Sequence, residues 1–420
     1  MTLKQISKNN FWLVIITGFF GSAFLSKSLG SYHIFPFRIF FLFAWYIFVA
    51  SLCLKNRLDL SQIKPYKFPV LFFLFWFFYA FCSFLWAASF GLWLRNVAFL
   101  FIGISLIFGC MYHLETFRDL KIFIIIWMVA LCCLNFIGFW EVMTGNHLIT
   151  SNLSNRQYKV FTPTSVFRNQ NDYATFLTLS FCFLLPLIKN VKKSFIRICS
   201  VTLLASSLYL LIFTTSRSNI IATVMVFISW FILFFHKYNL KLKFIISILL
   251  VPLMIIFINS FITSSTIQSL SHEITEGIGS GGVRINLIKN SFSFLANSLA
   301  LGIGAGNAEW YMQNKAIFDT KGILNVHNWW VELLTNYGII IFFLYCWLYM
   351  YVAKKSFKFS KRTKLPWEKI FAESVFLGCI GFFLASCSSS SIMAFKPQWF
   401  FWGFSFSCLG ILKQSPEIKV

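Results

Sequence analysis

Val326-His327-Asn328-Trp329-Trp330-Val331-Glu332 closes the long polar-to-mixed segment of this chain, about Ser260–Gly338, and runs straight into an apolar stretch. The same segment carries Arg284 and a glycine-rich turn, Gly302-Ile303-Gly304-Ala305-Gly306-Asn307. Such polarity is rare here. Across 420 residues 58% are hydrophobic, 12% are charged and 56 are Phe, and the mean hydropathy is +0.74. A soluble domain carries about 25% charged residues. A protein core alone cannot absorb so much apolar surface, so the bilayer is the solvent for much of the chain. The fold class is therefore all-α: a polytopic integral membrane protein whose helices frame one long loop at one surface.

A span needs roughly 20 mostly apolar residues, and by that rule about twelve runs appear. They lie near Phe11–Leu25, Ile34–Cys53, Phe68–Ala87, Val97–Met111, Ile122–Trp140, Tyr173–Leu187, Phe195–Phe213, Asn219–Phe235, Phe244–Phe261, Asn328–Val352, Ile370–Ala385 and Trp399–Leu412. The long extracytoplasmic loop, residues 261–327, falls between the ninth and tenth, and residues 1–420 read as a single membrane domain. No internal repeat, low-complexity linker or second soluble domain is visible.

A cytoplasmic amino terminus makes the connections alternate consistently. It places about 24 of the 36 Lys and Arg inside and about 12 outside, as the positive-inside rule expects. An even span count leaves the carboxyl terminus inside too. The formal charge of +23 is then topological and does not call for nucleic acid as a partner. The first run lacks a small-residue cleavage site, so it reads as a retained span and not as a signal peptide. The 11 cysteines fall almost entirely in apolar runs and none in the long loop, which favours buried small hydrophobes over a disulfide framework.

The type of basic residue differs by side. Inside, nearly all are Lys, whereas Arg38, Arg95, Arg156, Arg168, Arg217 and Arg284 make up about half of the outer set. Lys suffices as a topology charge, but Arg offers a planar fork matched to phosphate or carboxylate; interfacial snorkelling is the plain alternative. His327 stands at the mouth of a span, and histidine is the side chain most readily poised to take a proton near neutral pH. Beside Trp329 and Trp330 it could equally belong to an aromatic belt. Asn328 and Glu332 lie four apart on one helix face, with Glu332 about a turn into the membrane, where an unpaired acid is costly.

Arg217 sits in the short turn Thr214–Asn219, where Ser218 or Asn219 is expected to N-cap the next helix and point its amino end, which favours anions, outward. Arg284 opens an amphipathic helix, Val283–Leu295, with Ile285, Ile288, Phe292 and Leu295 on a face expected to lie on the membrane surface. Phe167-Arg168-Asn169-Gln170-Asn171-Asp172-Tyr173 is rich in hydrogen-bond formers suited to sugar hydroxyls; read otherwise, it is a helix start capped by Asn171 or Asp172. The glycine-rich turn lacks the strand–turn–helix context of a dinucleotide loop and reads as a structural turn. On the outer face no acidic pair or His/Cys cluster has metal-ligand spacing, no P-loop is present, and few charges lie within the apolar runs as an ion relay requires.

On these residues the chain resembles the O-antigen ligase and polysaccharide polymerase family. The resemblance rests on the many-span frame, the late outer loop, His327-Asn328 with Gly338 beyond nine intervening residues, Arg217, Arg284, and Arg168-Asn169-Gln170-Asn171 ahead of a span. It covers most of the chain and is most specific over Phe161–Gly338. Ile341 departs from it, standing where ligases often carry a second glycine.

The resemblance implies a metal-independent, cofactor-free glycosyltransferase of the bacterial cytoplasmic (inner) membrane, with its active site facing outward. Its substrate would be an undecaprenyl-diphosphate-linked glycan, its surroundings membrane lipids, and its companions a flippase and a chain-length regulator. It makes His327, Arg217 and Arg284 catalytic, the histidine as base and the arginines on the diphosphate, and gives Arg168, Asn169, Asn171, Asn328, Glu332, Arg38 and Arg95 to substrate binding. The expected reaction polymerises repeat units into a capsule, O-antigen, teichuronic-acid-like polymer or exopolysaccharide. Within the family the alternative is a ligase that moves finished glycan to lipid A-core or another acceptor; outside it, a polysaccharide transporter or flippase.

Overall fold

The computed structural model describes residues 3–20, 27–29, 32–34, 36–55, 66–154, 160–232, 279–389 and 392–414. In chain order its helices are α1 (Leu3–Phe19), α2 (Pro36–Lys55), α3 (Lys67–Cys82), α4 (Phe90–His113), α5 (Phe117–Thr144), α6 (Gln170–Asn190), α7 (Ser194–Phe213), α8 (Arg217–Trp230), α9 (Gly279–Asn297), α10 (Ala308–Asn314), α11 (Trp329–Arg362), α12 (Pro366–Ala385) and α13 (Lys396–Gln414). Eleven of the twelve expected runs fall on these helices; the ninth, Phe244–Phe261, lies outside the described residues. A small antiparallel hairpin, β1 (Lys27–Leu29) with β2 (Tyr32–Ile34), joins α1 to α2. Ile34 therefore belongs to a strand, and α2 starts at Pro36, whose fixed φ suits a first helical turn.

Among the described residues six helices are long and apolar enough to cross a membrane: α3 with its 3-10 extension to Leu85, α4, α5, α6, α7 and α11. α8 and the Pro36–Ala50 part of α2 are shorter apolar helices. Length and composition thus single out fewer spans among the described residues than the twelve expected, and α12 and α13 show a physical reason. α12 carries Glu368, Lys369 and Glu373, and α13 carries Gln398, Ser405 and Ser407. Both are almost wholly enclosed by other helices, α12 by α6, α8 and α11, and α13 chiefly by α4. A helix wrapped in protein needs packing partners and satisfied polar groups, and only a lipid-facing helix needs an unbroken apolar surface. The lipid-facing helices show the converse: Phe78, Phe136 and Phe195 are 64%, 78% and 78% exposed, which water would penalise and acyl chains do not.

Polar groups gather at the two ends of the bundle. At one end Lys4 pairs with Glu115 at 2.9 Å, Lys8 with Asp119 at 2.7 Å and Lys189 with Glu373 at 2.5 Å, and Thr116 and Asp119 close a capping box on α5. All but Glu373, which lies within α12, fall on connections that the charge pattern assigns to one side.

At the opposite end α11 breaks. Gly338 has φ 76° and ψ −178° inside the helix, and the glycine-rich turn threads through the break. The Ile303 and Gly304 amides donate to the Thr335 and Asn336 carbonyls (3.0 and 3.1 Å), and the Ile339 amide donates to the Ala300 carbonyl (2.9 Å). Tyr79 and Trp86 donate to the Leu301 and Gly302 carbonyls (2.6 and 3.0 Å). The turn is structural, as its sequence suggests.

Gly338→Ala is expected to destabilise the protein by about 3 kcal/mol, from a left-handed non-glycine residue and a forced repacking together. A Cβ at Gly338 would stand 2.4 Å from the Leu301 carbonyl group. Gly322 has the same φ of 76° but nothing within 4 Å of its Cβ position, so Gly322→Ala should cost only about 1 kcal/mol. Thermal unfolding in detergent compares the two; equal losses would show that the break in α11 is not tightly packed.

Candidate active site

The stretch between α5 and α6 is tied down from below. Glu141, fully buried near the end of α5, accepts from the Thr164 amide (2.8 Å), the Thr164 hydroxyl (2.9 Å) and the Ser165 amide (2.6 Å), and meets His147 Nδ1 at 3.0 Å. This fixes the approach to Arg168, whose Nε donates to Asn152 Oδ1 at 2.8 Å. Asn169 is the N-cap of α6, accepting from the Asn171 amide at 2.7 Å, so the cap is neither Asn171 nor Asp172. Asn171 is buried, its carbonyl accepting from Thr175 at 2.9 Å.

In the long loop α9 presents Val283, Leu287 and Phe294 to Ile303, Ala308, Met312 and Val326. The face that packs inward is therefore not the Ile285, Ile288, Phe292, Leu295 stripe, which is left part-exposed with Phe292 well exposed. The helix has two apolar stripes, and protein covers only the first. Asn290 pins the loop by donating to the Phe318 carbonyl (2.8 Å) and accepting from the Ile317 and Phe318 amides (both 2.9 Å).

His327 follows directly. Its φ of 53° is unusual for a residue with a side chain, and its amide donates to Asn325 Oδ1 at 2.8 Å. Asn328 then caps α11, its Oδ1 accepting from the Trp330 and Val331 amides (3.1 and 3.3 Å). The Trp329 amide donates to the Ser386 carbonyl (3.0 Å) and a hydrogen bond with the Ser388 main chain steadies the imidazole. Nδ1 of His327 is buried and meets no partner among the described residues. Burial, and then the Arg284 guanidinium, push the imidazole pKa down to about 4 against the hydrogen bond to Ser388. His327 is a neutral base in waiting.

Arg284 is itself held below its ordinary value, by burial and by Arg217. Two guanidinium groups that oppose each other, one of them acting on a neutral imidazole, form an arrangement that an anion relieves. Arg217 occupies the first position of α8, with Ser216 as N-cap and no capping side-chain bond. Asn219 does not cap this helix: its amide nitrogen donates to Ser216 and Ser388 hydroxyls (2.9 and 3.0 Å), and its Oδ1 accepts from Thr175 and Thr178 (3.2 and 3.3 Å).

On the other side of His327 lies a cavity of about 650 Å³. Of the residues expected from sequence, His327, Glu332, Arg168, Asn169 and Arg95 line it. Arg217 and Arg284 do not line it; Arg284 bears on His327 through its charge, and Arg217 bears on Arg284. Asn171, Asn328 and Arg38 are not on its wall either; the first two are taken up by α6 and the cap of α11, and Arg38 on α2 lies near Lys396. Arg156 is outside the described residues.

Sequence reasoning passed over Lys396, Asn96, Asn152, Asn336 and Glu309, all of which line the cavity together with Asp172. Lys396 carried a readable signal, a lone base at the head of the last apolar run like Arg217 at the head of the eighth. The acids were misjudged: Glu309 and Glu332, far apart in sequence, face one space together with Arg95, which pairs with Glu309 at 2.6 Å. Among the described residues no group of three or more His, Cys, Asp or Glu is placed to hold a metal ion. The result is a cavity of amides and mixed charge, suited to a polyhydroxylated ligand, bordered by a neutral histidine and an arginine pair.

Residues 202–346 match a family model described as O-antigen ligase. Over 416 residues, 97% of this chain and 85% of the relative, the sequence is 30% identical to the Teichuronic acid biosynthesis protein TuaE of Bacillus subtilis (strain 168). Arg217, Arg284, His327 and Gly338 all fall inside the matched family segment.

The depressed pKa of His327 has a consequence for stability. Its folded value of about 4 lies below the ordinary 6.5, so the unfolded chain binds that proton more tightly. The stability due to neutral His327 is complete above pH 6.5 and is lost as the pH falls through 4. His327→Gln should therefore lose less thermal stability than wild type between pH 6.5 and 4, read as unfolding temperature in detergent. Parallel curves for the two proteins would show that His327 is not held neutral by its surroundings.

Proposed function

The chain belongs to the O-antigen ligase and polymerase family of multi-pass membrane proteins of polysaccharide biosynthesis, and from that we propose that it polymerises lipid-diphosphate-linked oligosaccharide repeat units. In this reading the donor is an undecaprenyl-diphosphate-linked glycan, the reaction takes place on the outer face of the bacterial cytoplasmic membrane, both termini are cytoplasmic, and no metal is required. The observation that carries it is a buried neutral His327 on the wall of a polar cavity and under the charge of Arg284, which is itself acted on by Arg217.

The acceptor sugar lies in the cavity, its hydroxyls held by Asn169, Asn96, Asn336 and Glu332. One hydroxyl oxygen attacks the anomeric carbon of the donor. Its proton passes to His327 Nδ1, the nitrogen without another partner. The bond between the anomeric carbon and the diphosphate oxygen breaks, and the electron pair leaves with the lipid diphosphate. Arg284 and Arg217 hold that departing charge, the work a cation performs elsewhere. His327 then releases the proton to solvent or to the diphosphate.

The family match, described as O-antigen ligase, favours a second reading on the same site, transfer of finished glycan to another acceptor. Ile341 favours polymerisation: it fills the position where ligases often carry a second glycine, and it is fully buried in α11. The relative named for teichuronic acid biosynthesis fits a polymer product.

The test is an assay with purified protein and lipid-diphosphate-linked repeat unit, without added metal, resolved by chain length. A ladder is expected. His327→Ala should lower its rate by about 10²–10⁴, and Arg284→Ala or Arg217→Ala by about 10²–10³, with the protein still inserted. Near-wild-type polymer from these variants would sink the assignment, and transfer seen only once a lipid A-core acceptor is added would make the protein a ligase.

A further inference from the structure

At the end of the bundle opposite His327, a cavity of about 400 Å³ opens where α7 and α12 begin, beside the start of α5 and the end of α6. Lys121, Lys192 and Lys193 converge on it, with Trp367, Ile196 and Ile370 as its aromatic and apolar walls. A topology charge alone needs only a solvated lysine on a loop; it does not need a concavity. The Lys121 ammonium lies 4.7 Å from the centre of the Trp367 ring, so cation and platform are already assembled.

Two neighbouring cations are committed elsewhere. Lys189 is buried against Glu373 at 2.5 Å, and Arg197 donates to the Val191 carbonyl at 2.7 Å, closing the end of α6. Among the described residues Lys121, Lys192 and Lys193 form no ion pair with a carboxylate. The first turns of α7 and α12 both border the cavity, and neither helix has a capping side-chain bond. Two positive helix ends therefore add to three ammonium groups. The flank is apolar: α7 is the least enclosed of the six candidate spans, and Phe195 and Ile198 stand exposed on it just beyond the cavity rim.

We propose that this cavity binds the phosphate headgroup of an anionic phospholipid, with the acyl chains laid along the exposed face of α7. The assignment rests on this end of the bundle alone and is independent of the glycan-transfer reading. Only the leaflet, the inner one, follows from the same charge pattern.

Native mass spectrometry of the full-length protein tests it, with titration by phosphatidylglycerol and, separately, by phosphatidylcholine with the same chains. One saturable phosphatidylglycerol is expected, with little phosphatidylcholine. A lysine beside an anionic surface contributes about fivefold to binding, so Lys121→Ala/Lys192→Ala/Lys193→Ala should weaken phosphatidylglycerol by about a hundredfold. The corresponding triple Lys→Arg variant should retain it. Should the triple alanine variant fail to fold, Lys192→Ala/Lys193→Ala, on an exposed turn, carries the test at about 25-fold.

Equal binding of the two lipids, or unchanged affinity in the alanine variants, overturns the proposal. Displacement of phosphatidylglycerol by inorganic phosphate alone would assign the cavity to a free anion and overturn the lipid. Glycan transfer by the same variants is read in parallel, so a failure here is separate from a failure of the polymerase assignment.

Discussion

Backbone amides and carbonyls inside a bilayer must find partners within the protein, and the break of α11 at Gly338 is tolerated only because the glycine-rich turn completes it. Thr335 and Asn336 give their carbonyls to Ile303 and Gly304, and Ala300 takes the amide of Ile339. The exchange welds the long loop to the bundle at a fixed height. From there Asn336 Oδ1 accepts from the Ala308 amide at 3.0 Å, starting α10, and Asn307 Oδ1 accepts from the Ser89 amide at 2.7 Å, joining the foot of α4. Tyr337 donates to Asn96 across the same seam. The floor of the large cavity is thus built from the groups that repair a broken helix.

Above that floor, electrostatics and desolvation act in the same direction. Burial lowers the proton affinity of His327, and Arg284 lowers it further, outweighing the hydrogen bond that the imidazole donates to the Ser388 main chain. Under the proposed mechanism the donor changes this balance. A diphosphate between Arg217 and Arg284 cancels the charge that opposes protonation, so His327 becomes a stronger base when the leaving group is bound. Base and leaving group are coupled through Arg284.

Sequence alone carried the membrane frame, because a bilayer imposes a composition that no soluble fold shares. It also singled out His327 and Arg168, which the fold places on the wall of one cavity, and Arg284, whose charge bears on His327, because a charged residue at the mouth of an apolar run needs a reason. It could not show α12 and α13 as interior helices, since shielding by neighbours is a tertiary property; nor could it choose between the two apolar stripes of α9, which satisfy the same periodicity. Asn328 and Asn171 were overvalued for a related reason: an amide at a helix start serves the backbone first. The meeting of Glu309, Glu332 and Arg95 was hidden because those residues come from different connections.

Asn219 and Arg217 share the opening turn of α8, and Asn219 grips Ser388, whose main chain holds His327. A slide of α8 along its axis carries the arginine and the anchor of the histidine by the same step. Under the proposed mechanism the group that takes the proton and the group that receives the departing charge are therefore tied to one another through Asn219 and Ser388, like the two jaws of a caliper.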